Sequence, residues 1–271
     1  MPIRLSLPPT LVDRVEASPR PLIGGWVVSG SPVAAEIMAG SGLDVILVDG
    51  EHSANSLSSI QTQLQVIAGT PAIPLVRVPV GEPWLIKQYL DLGVQNLLVP
   101  MVDTAAQAET IVRAAHYPPR GIRGVGSALA RAARWNRVEG YLDLAAETIS
   151  LVVQIETAAA VSNVDAILAV DGVDAIFVGP SDLAASMGLL GQQEHPDVVA
   201  AVELAIAAAR SVGKPVAVNA FAPATAQRYL DGGADLVFVG ADVALLARGS
   251  EALADRFIGD RPAGGSPRAS Y

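Results

Sequence analysis

Short apolar runs rich in β-branched residues alternate along the chain with longer segments whose apolar positions follow a helical period. Runs that are apolar at almost every position are typical of parallel strands buried on both faces of a sheet. Eight such strands are predicted, at 23–29, 44–49, 73–78, 95–100, 149–156, 174–179, 214–220 and 235–240. Helices are predicted between them, at 31–42, 57–69, 82–93, 104–117, 197–213 and 222–233. Most of these helices close with glycine, and Ser31 and Pro32 fit the cap and first turn of the first.

This alternation predicts an α/β fold, the (β/α)8 TIM barrel. Eight strands, each followed by a helix in about 250 residues, match that architecture, and one domain over residues 1–258 accounts for all of them. A doubly wound sheet with extra strands is the alternative, although no glycine-rich dinucleotide fingerprint follows the first strand. Residues 259–271 are predicted to form a flexible tail.

Composition narrows the class of partner. The chain has no cysteine, which excludes disulfides, zinc–thiolate sites and thiol nucleophiles and fits a cytoplasmic location. A formal net charge of −9 disfavours nucleic acid, and no apolar run approaches the ~18 residues of a membrane helix. The amino terminus lacks the apolar segment of a signal peptide. Small molecules are therefore the expected partners.

Polar side chains collect where the predicted strands end. The second strand runs into Asp49, Glu51 and His52, within the motif DGEHS. The other strand ends carry Arg77, Gln154, Glu156, the run Gly179-Pro180-Ser181-Asp182, Asn219 and Asp242. The carboxyl ends of barrel strands form the catalytic face, so these residues predict an active site. For any one of them, simple solvation of a strand end remains the alternative.

Two carboxylates and one histidine are the chemically informative members of this set. Glu156 and Asp182 follow adjacent strands, and their mutual repulsion would be relieved by a cation such as Mg²⁺ or Mn²⁺. An arginine salt bridge would satisfy Glu156 equally well. His52 is the one histidine that directly follows a strand, and a neighbour such as Asp49 would orient it as a general base. A structural role for His52 is the alternative.

Imine chemistry is disfavoured because the chain has only two lysines. Lys87 lies in a predicted helix, and Lys214 precedes the seventh strand, on the face opposite the strand ends. A Schiff base requires a lysine inside the site. Stabilisation of a carbanion would therefore fall to a metal or a guanidinium.

Five motifs carry a resemblance to a known family: DGEHS, KQYLDLGVQNLLVPMV, YPPRGIRGVGSALARAARWNR, VQIET and FVGPSDLAASMG, in this order. Together they resemble the metal-dependent (class II) pyruvate aldolases of the 4-hydroxy-2-oxoheptanedioate aldolase family, from about residue 20 to about residue 258. The resemblance implies a (β/α)8 barrel with an exchanged C-terminal helix. It also implies a homo-hexamer built as a dimer of trimers.

The resemblance further implies an activity and a role for each residue. The expected reaction is reversible cleavage of a 4-hydroxy-2-oxo acid to pyruvate, or hydroxypyruvate, and an aldehyde through a metal-stabilised enolate. The implied cofactor is a divalent metal, Mg²⁺, Mn²⁺ or Co²⁺. The implied site consists of Glu156 and Asp182 as metal ligands, Arg77 at the keto oxygen, Gln154 beside the metal-bound ligands, amides around Gly179, Pro180 and Ser181 for the substrate carboxylate, and His52 as the catalytic histidine oriented by Asp91 or Asp49.

Departures from the family pattern leave the acceptor aldehyde open. After the arginine of the third strand relatives commonly place a tryptophan, whereas here the run is Arg77-Val78-Pro79-Val80-Gly81, and Asn219 stands where an aliphatic residue is common. A basic stretch would either draw anionic substrates to the mouth or build subunit contacts. It comprises Arg120, Arg123, Arg131, Arg134 and Arg137. An acyl-CoA lyase of the same superfamily and a non-catalytic oxo-acid-binding barrel remain the alternative functions.

Overall fold

Eight parallel strands close into a barrel in chain order, with β8 returning to pair with β1. The structure is a computed structural model that describes residues 3–258. Strands β1–β8 span Leu22–Val27, Val45–Asp49, Ile73–Arg77, Asn96–Val99, Ser150–Ile155, Ala175–Val178, Val216–Asn219 and Leu236–Ala241. All eight predicted strands are confirmed within two residues at each end, and the closed barrel excludes the doubly wound alternative.

Helices lie outside the strands. Helices α1–α6 span Leu11–Ala17, Pro32–Ala39, Leu57–Ile67, Pro83–Asp91, Ala105–Ala115 and Tyr141–Leu144, and α7–α12 span Ala158–Ser162, Val164–Leu168, Pro180–Ser186, Pro196–Ser211, Pro223–Asp231 and Asp242–Ile258. Helix α2 begins as predicted, because the Ser31 hydroxyl accepts the backbone N–H of Ala34 and Pro32 occupies the first turn.

Alternation along each strand divides the core into two layers. Val45 and Leu47 of β2 point into the barrel and pack with the inward residues of the other strands. Ile46 and Val48 point outward and pack beneath the helices in a larger cluster. The inward row of β2 continues to Asp49 at the strand's carboxyl end. The period of two that fills the barrel with apolar side chains therefore also aims polar ones into its mouth.

The opposite end of the barrel is closed by α1. The first backbone N–H groups of this helix have no partner within the helix, and two of them donate to buried side chains of the strands. Leu11 N–H donates to Asn96 Oδ1 at 2.6 Å, and Val12 N–H donates to Ser150 Oγ at 3.2 Å. The plugged amino-terminal end leaves the carboxyl-terminal end as the open face.

The long connection between α5 and β5 lies at this closed end. It leaves α5 at Ala115 and enters β5 at Ser150, both at the amino-terminal side of the strands. Within it, Arg131 Nη1 donates to the carbonyl of Leu92, just after α4, at 3.0 Å, and burial lowers the Arg131 pKa to about 10. In a single chain the basic stretch is therefore remote from the mouth, which leaves the prediction of subunit contacts.

Two further observations concern the limits of the fold. Within residues 3–258, no helix combines the length and the apolarity needed to cross a lipid bilayer. The tail predicted at 259–271 lies outside the described residues.

Gly24 gives a test of the inner packing. It belongs to the inward-facing surface of β1, and a Cβ built there overlaps the Phe238 ring, which Trp26 and Phe177 hold by aromatic contacts at centroid distances of 5.8 and 5.5 Å. We expect Gly24→Ala to lower the melting temperature by about 3–10 °C, because the overpacked ring cannot move aside. Gly69→Ala at an exposed helix end is the matched control, since its Cβ makes only an ordinary 3.4 Å contact. Equal melting temperatures for the two variants would contradict this account of the packing.

Candidate active site

A buried ion pair between Asp49 and Arg77 forms the floor of the open end. The two residues are partners in the β2–β3 register, so their inward side chains are neighbours. Arg77 Nε and Nη2 donate to Asp49 Oδ1 and Oδ2, both at 2.8 Å, in a two-pronged contact. Burial opposes the charge on Arg77, but Asp49, with Glu51 and Glu156, raises its pKa above the usual value. Arg77 is therefore held in one orientation and stays charged.

Asp49 also shapes the turn that follows β2. Its carboxylate accepts the backbone N–H of Glu51 at 3.0 Å and that of His52 at 3.2 Å, and its side chain is only 1% exposed. The predicted contact to His52 therefore reaches the backbone of that residue, and no hydrogen bond to the imidazole occurs among the described residues. Asp49 orients Arg77 and the turn directly, and it acts on the position of the His52 ring through the backbone.

Glu51 is a further site residue, for which the sequence indicates no specific role. Its Oε2 lies 3.0 Å from Arg77 Nη1 and 3.9 Å from His52 Nε2, so it stands between the arginine and the histidine without a hydrogen bond to either. Burial raises the pKa of Glu51. The charges of Arg77 and His52 lower this pKa, and those of Asp49 and Asp182 raise it. The motif DGEHS could have indicated a role for Glu51, because this residue lies between Asp49 and His52 in the turn at the open end of the barrel.

Glu156 and Gln154 continue the inward row of β5. Glu156 is buried, its Oε1 accepts the backbone N–H of Met101 at 2.7 Å, and its Oε2 accepts the Gln154 side-chain amide. Burial raises the Glu156 pKa to about 7, and nearby Asp182 and Glu51 contribute in the same direction. Within the described residues, Gln154 Oε1 is buried without a hydrogen-bond partner. The pair thus leaves acceptor oxygens in a region of excess negative charge.

Gly179, Pro180 and Ser181 form the entry to α9 beside these oxygens. A Cβ on Gly179 would lie 3.0 Å from Gln154 Nε2 and 3.1 Å from Glu156 Oε2, so a larger residue would force them apart. Pro180 starts the helix, and the backbone N–H groups that follow it have no acceptor within the helix. Gly179, Pro180, Ser181 and Asp182 all line one cavity with Arg77.

These donors fit a hard divalent cation held by few protein ligands. Glu156 and Asp182 are close enough for the charge of Asp182 to raise the Glu156 pKa, and Gln154 Oε1 is unpaired beside them. No group of three or more His, Cys, Asp or Glu side chains suited to a metal occurs within residues 3–258. Mg²⁺ and Mn²⁺ bind through one or two carboxylates and keep other positions for water and substrate, so two carboxylates suffice.

His52 and Asp91 do not meet within one chain. The His52 side chain is 71% exposed and lines the rim of the cavity at the strands' carboxyl ends. Asp91 is the last residue of α4, and β4 begins five residues later, so Asp91 lies near the amino-terminal ends of the strands. Its carboxylate pairs with Arg123 Nη2 at 2.8 Å. The predicted contact between Asp91 and His52 is therefore absent from the described chain.

Two other strand-end residues make structural hydrogen bonds at the open end. Asp242 accepts the backbone N–H groups of Val28 and Ser29 at 2.9 and 3.2 Å, which ties the end of β1 to the start of α12. Asn219 Oδ1 accepts the Trp26 indole N–H at 2.9 Å, while Asn219 itself lines the cavity. In the run after Arg77, which is the other departure from the family pattern, Val78 is fully buried and Val80 is exposed.

The cavity above these residues has a volume of about 470 Å³. It extends from Arg77 and Gln154 at one side to Phe221 and Tyr229 at the other. That is room for a small oxo acid and a short second reactant. The site therefore combines one fixed guanidinium, a cluster of carboxylates suited to a cation, and an exposed histidine around a small-molecule cavity.

Comparison with known proteins gives one consistent family. The family model described as HpcH/HpaI aldolase/citrate lyase matches residues 22–249. A 4-hydroxy-2-oxo-heptane-1,7-dioate aldolase from Salmonella typhimurium is 50% identical over 238 residues, which cover 88% of this chain and 90% of that protein. The relative of the same name from Salmonella paratyphi A is 50% identical over 247 residues, which cover 91% of this chain and 94% of that protein.

Solved structures indicate the same family. The crystal structure of an HpcH/HpaI aldolase/citrate lyase family protein from Burkholderia cenocepacia is 38% identical, with a TM-score of 0.87 over 92% of this chain and 99% of that one. The crystal structure of an HpcH/HpaI aldolase from Desulfitobacterium hafniense is 29% identical, with a TM-score of 0.82 over 96% of this chain and 100% of that one. The predicted family, barrel and enzyme class, a carbon–carbon lyase, are confirmed, and the chain belongs to the HpcH/HpaI aldolase/citrate lyase family.

Proposed function

We propose that the chain is a divalent-metal-dependent aldolase that reversibly cleaves 4-hydroxy-2-oxo acids to pyruvate, or hydroxypyruvate, and an aldehyde. The observation that carries the proposal is the convergence of Arg77 with Glu156 and Asp182 on one small cavity at the open end of the barrel. The 50% identity to named aldolases supports the same reaction class.

The donor half of the substrate would bind between Arg77 and the first turn of α9. Glu156 and Asp182 would hold the cation, with Gln154 beside it. A divalent ion held there would supply positive charge for the negative charge that develops on the oxo acid. The backbone N–H groups at Ser181 and Asp182 have no acceptor within the helix, which suits the substrate carboxylate.

Arg77 and His52 would carry the charge and the proton. As the C3–C4 bond breaks, its electron pair passes to the keto oxygen, where the fixed Arg77 guanidinium stabilises the enolate. His52 takes the proton of the C4 hydroxyl as the aldehyde carbonyl forms, and one proton added at C3 completes pyruvate. The reverse sequence is aldol addition. Asp49 acts by keeping the Arg77 fork aimed at the cavity.

We also propose the oligomer that the resemblance implies, in which α12 is exchanged in a hexamer of two trimers. Of the 17 residues of α12, only Asp242 is buried, whereas Leu246, Leu253 and Phe257 are exposed. A groove of about 940 Å³ runs over β1 and β8 between α2 and α11, lined by apolar side chains such as Met38. A barrel normally has a helix there, and α12 of a second copy would fill it.

Asp91 belongs to the same proposal. Because it lies at the far end of its own barrel, its predicted partnership with His52 would require His52 of a neighbouring subunit. The exposed apolar residues of the long connection, including Val125 and Leu129, support a subunit contact in that region. The cytoplasmic location, the tail and the single-domain boundaries stay predictions.

The two alternative functions have less support. An acyl-CoA lyase would have to bind a nucleotide tail, whereas the relatives at 50% identity carry the name of an aldolase acting on a free oxo acid. Saturation of the enzyme by a CoA thioester would favour this alternative. A silent binding barrel would bind pyruvate without exchanging its methyl protons in D₂O.

Metal removal tests the cofactor. We expect dialysis against EDTA to abolish pyruvate release from a 4-hydroxy-2-oxo acid, because Arg77 alone cannot offset the charge that develops beside the carboxylates. Mg²⁺, Mn²⁺ or Co²⁺ should restore the rate in a coupled pyruvate assay. Full turnover by protein shown to be metal-free would refute the proposal.

Substitution of the ligands separates binding from chemistry. We expect Glu156→Ala and Asp182→Ala each to abolish metal binding in calorimetry, whereas His52→Ala keeps it and lowers kcat by about 10²–10⁴-fold. Asp171→Ala is the control, since this exposed carboxylate pairs with Arg120 at the closed end. Wild-type metal affinity in both ligand variants would overturn the assignment.

Exposed leucines of α12 test the exchange. We expect Leu246→Glu with Leu253→Glu to convert the hexamer to smaller species in light scattering, because charges cannot enter the apolar groove without a large desolvation cost. Leu204→Glu, at an exposed position of α10, is the matched control. A hexamer that persists in the α12 variant would exclude helix exchange as its basis.

A further inference from the structure

The cavity has a second half that the donor chemistry does not use. This acceptor half lies beyond Asn219, at the end of β7, and is bounded by Phe221, Thr225 and Tyr229 on the α11 side and by Glu194 on the loop before α10. Since Arg77, Gln154 and α9 bound the donor half, the aldehyde portion of a substrate extends into the acceptor half.

Tyr229 is the unusual member of the acceptor half. Its side chain is only 1% exposed, it lines the cavity, and its hydroxyl oxygen has no hydrogen-bond partner within residues 3–258. Side chains on a helix point toward its amino terminus, and α11 begins at the carboxyl ends of the strands, so this hydroxyl is directed toward the mouth. An unpaired buried hydroxyl is costly, and a polar ligand atom relieves the cost.

The charge of the acceptor half is negative. Glu194 is its charged residue, and Glu194 Oε1 accepts the Thr225 hydroxyl at 3.0 Å. Among the cavity-lining residues that the structure describes, Arg77 is the one lysine or arginine, and it is engaged by Asp49 and Glu51 in the donor half. Arg228, next to Tyr229, pairs with Glu203 Oε1 at 2.8 Å and is not among the cavity-lining residues. A carboxylate at the far end of an aldehyde would therefore face Glu194 without a cavity-lining cation from its own chain.

We infer that the acceptor half selects neutral aldehydes that carry hydroxyl groups, with Tyr229 as the specificity-determining residue that hydrogen-bonds such a hydroxyl. The inference rests on the proposed aldolase function and deepens it. The favoured cleavage substrates are then 4-hydroxy-2-oxo acids with a further hydroxyl beyond C4 and no second carboxylate. This differs from the dicarboxylic substrate in the name of the 50% identical relatives.

The inference is tested by aldol addition with pyruvate as donor and two matched pairs of acceptors. Glyceraldehyde and propanal have the same carbon chain with and without hydroxyls, and succinic semialdehyde and butanal have the same chain with and without a carboxylate. We expect the wild-type, metal-loaded enzyme to have a higher kcat/KM for glyceraldehyde than for propanal. We expect it to have a lower kcat/KM for succinic semialdehyde than for butanal.

Two variants assign these preferences to residues. We expect Tyr229→Phe to lower kcat/KM for glyceraldehyde by about threefold to tenfold and to leave propanal within about twofold, which is the loss of one neutral hydrogen bond. We expect Glu194→Gln to raise kcat/KM for succinic semialdehyde by about threefold, a modest change because Glu194 is exposed and screened. Tyr117→Phe removes a phenol hydroxyl that does not line the cavity and should change neither ratio.

Exchange of the pyruvate methyl protons in D₂O separates the two levels of the proposal, because it needs no aldehyde. Exchange at the wild-type rate in every variant shows that each is folded and that the donor half works. With exchange intact, a wild-type preference for succinic semialdehyde, or equal losses for glyceraldehyde and propanal in Tyr229→Phe, overturns the inference alone. Absence of metal-dependent exchange in the wild type overturns the aldolase proposal and the inference with it.

Discussion

The two-pronged contact between Asp49 and Arg77 is the constraint on which the open end of the barrel depends. A buried ion pair stabilises a fold only when its remaining polar atoms are also satisfied, and here Asp49 additionally receives two backbone N–H groups of the turn after β2. One carboxylate thereby fixes the direction of the guanidinium and the path of the chain through Glu51 to His52. A guanidinium held before substrate arrives needs no reorganisation when charge develops, which is the condition for strong electrostatic catalysis.

The same pair explains why the site calls for a cation. The charge of Asp49 balances that of Arg77 before the other carboxylates are considered, and Glu51 Oε2 lies 3.0 Å from Nη1 without forming a hydrogen bond, so the N–H groups of Nη1 are left for a substrate oxygen. Glu156 and Asp182 are left without an equivalent partner. Burial raises the Glu156 pKa to about 7, and the charge of Asp182 adds to the effect. The arginine salt bridge considered as an alternative for Glu156 is thus pre-empted by Asp49. A divalent ion is the simplest source of the missing charge.

The sequence allowed the barrel and most of the mouth to be predicted, and the reason is periodicity. Strands buried on both faces are visible as apolar runs, and a polar residue that follows the last apolar residue of an inward row faces the open end. Periodicity does not show which side chains on different strands contact one another. The Asp49–Arg77 register, the structural role of Asp242 and the closed-end position of Asp91 each depend on tertiary geometry. Tyr229 was missed because a tyrosine in an amphipathic helix has the same pattern whether its hydroxyl meets solvent, a strand or a cavity.

The shape of the cavity and the assembly of the protein are joined through α12. Val243 and Ala244, in the first turn of this helix, line the cavity, while the rest of the helix leaves the barrel with its apolar residues exposed. Asp242 anchors that first turn to the backbone of Val28, which lines the same cavity. Contacts that fix the outer part of α12 therefore also affect the position of its first turn, which forms one wall of the cavity. Because α12 begins at the cavity and its outer part is proposed to pack on a second subunit, subunit packing is linked to the volume that the aldehyde can occupy.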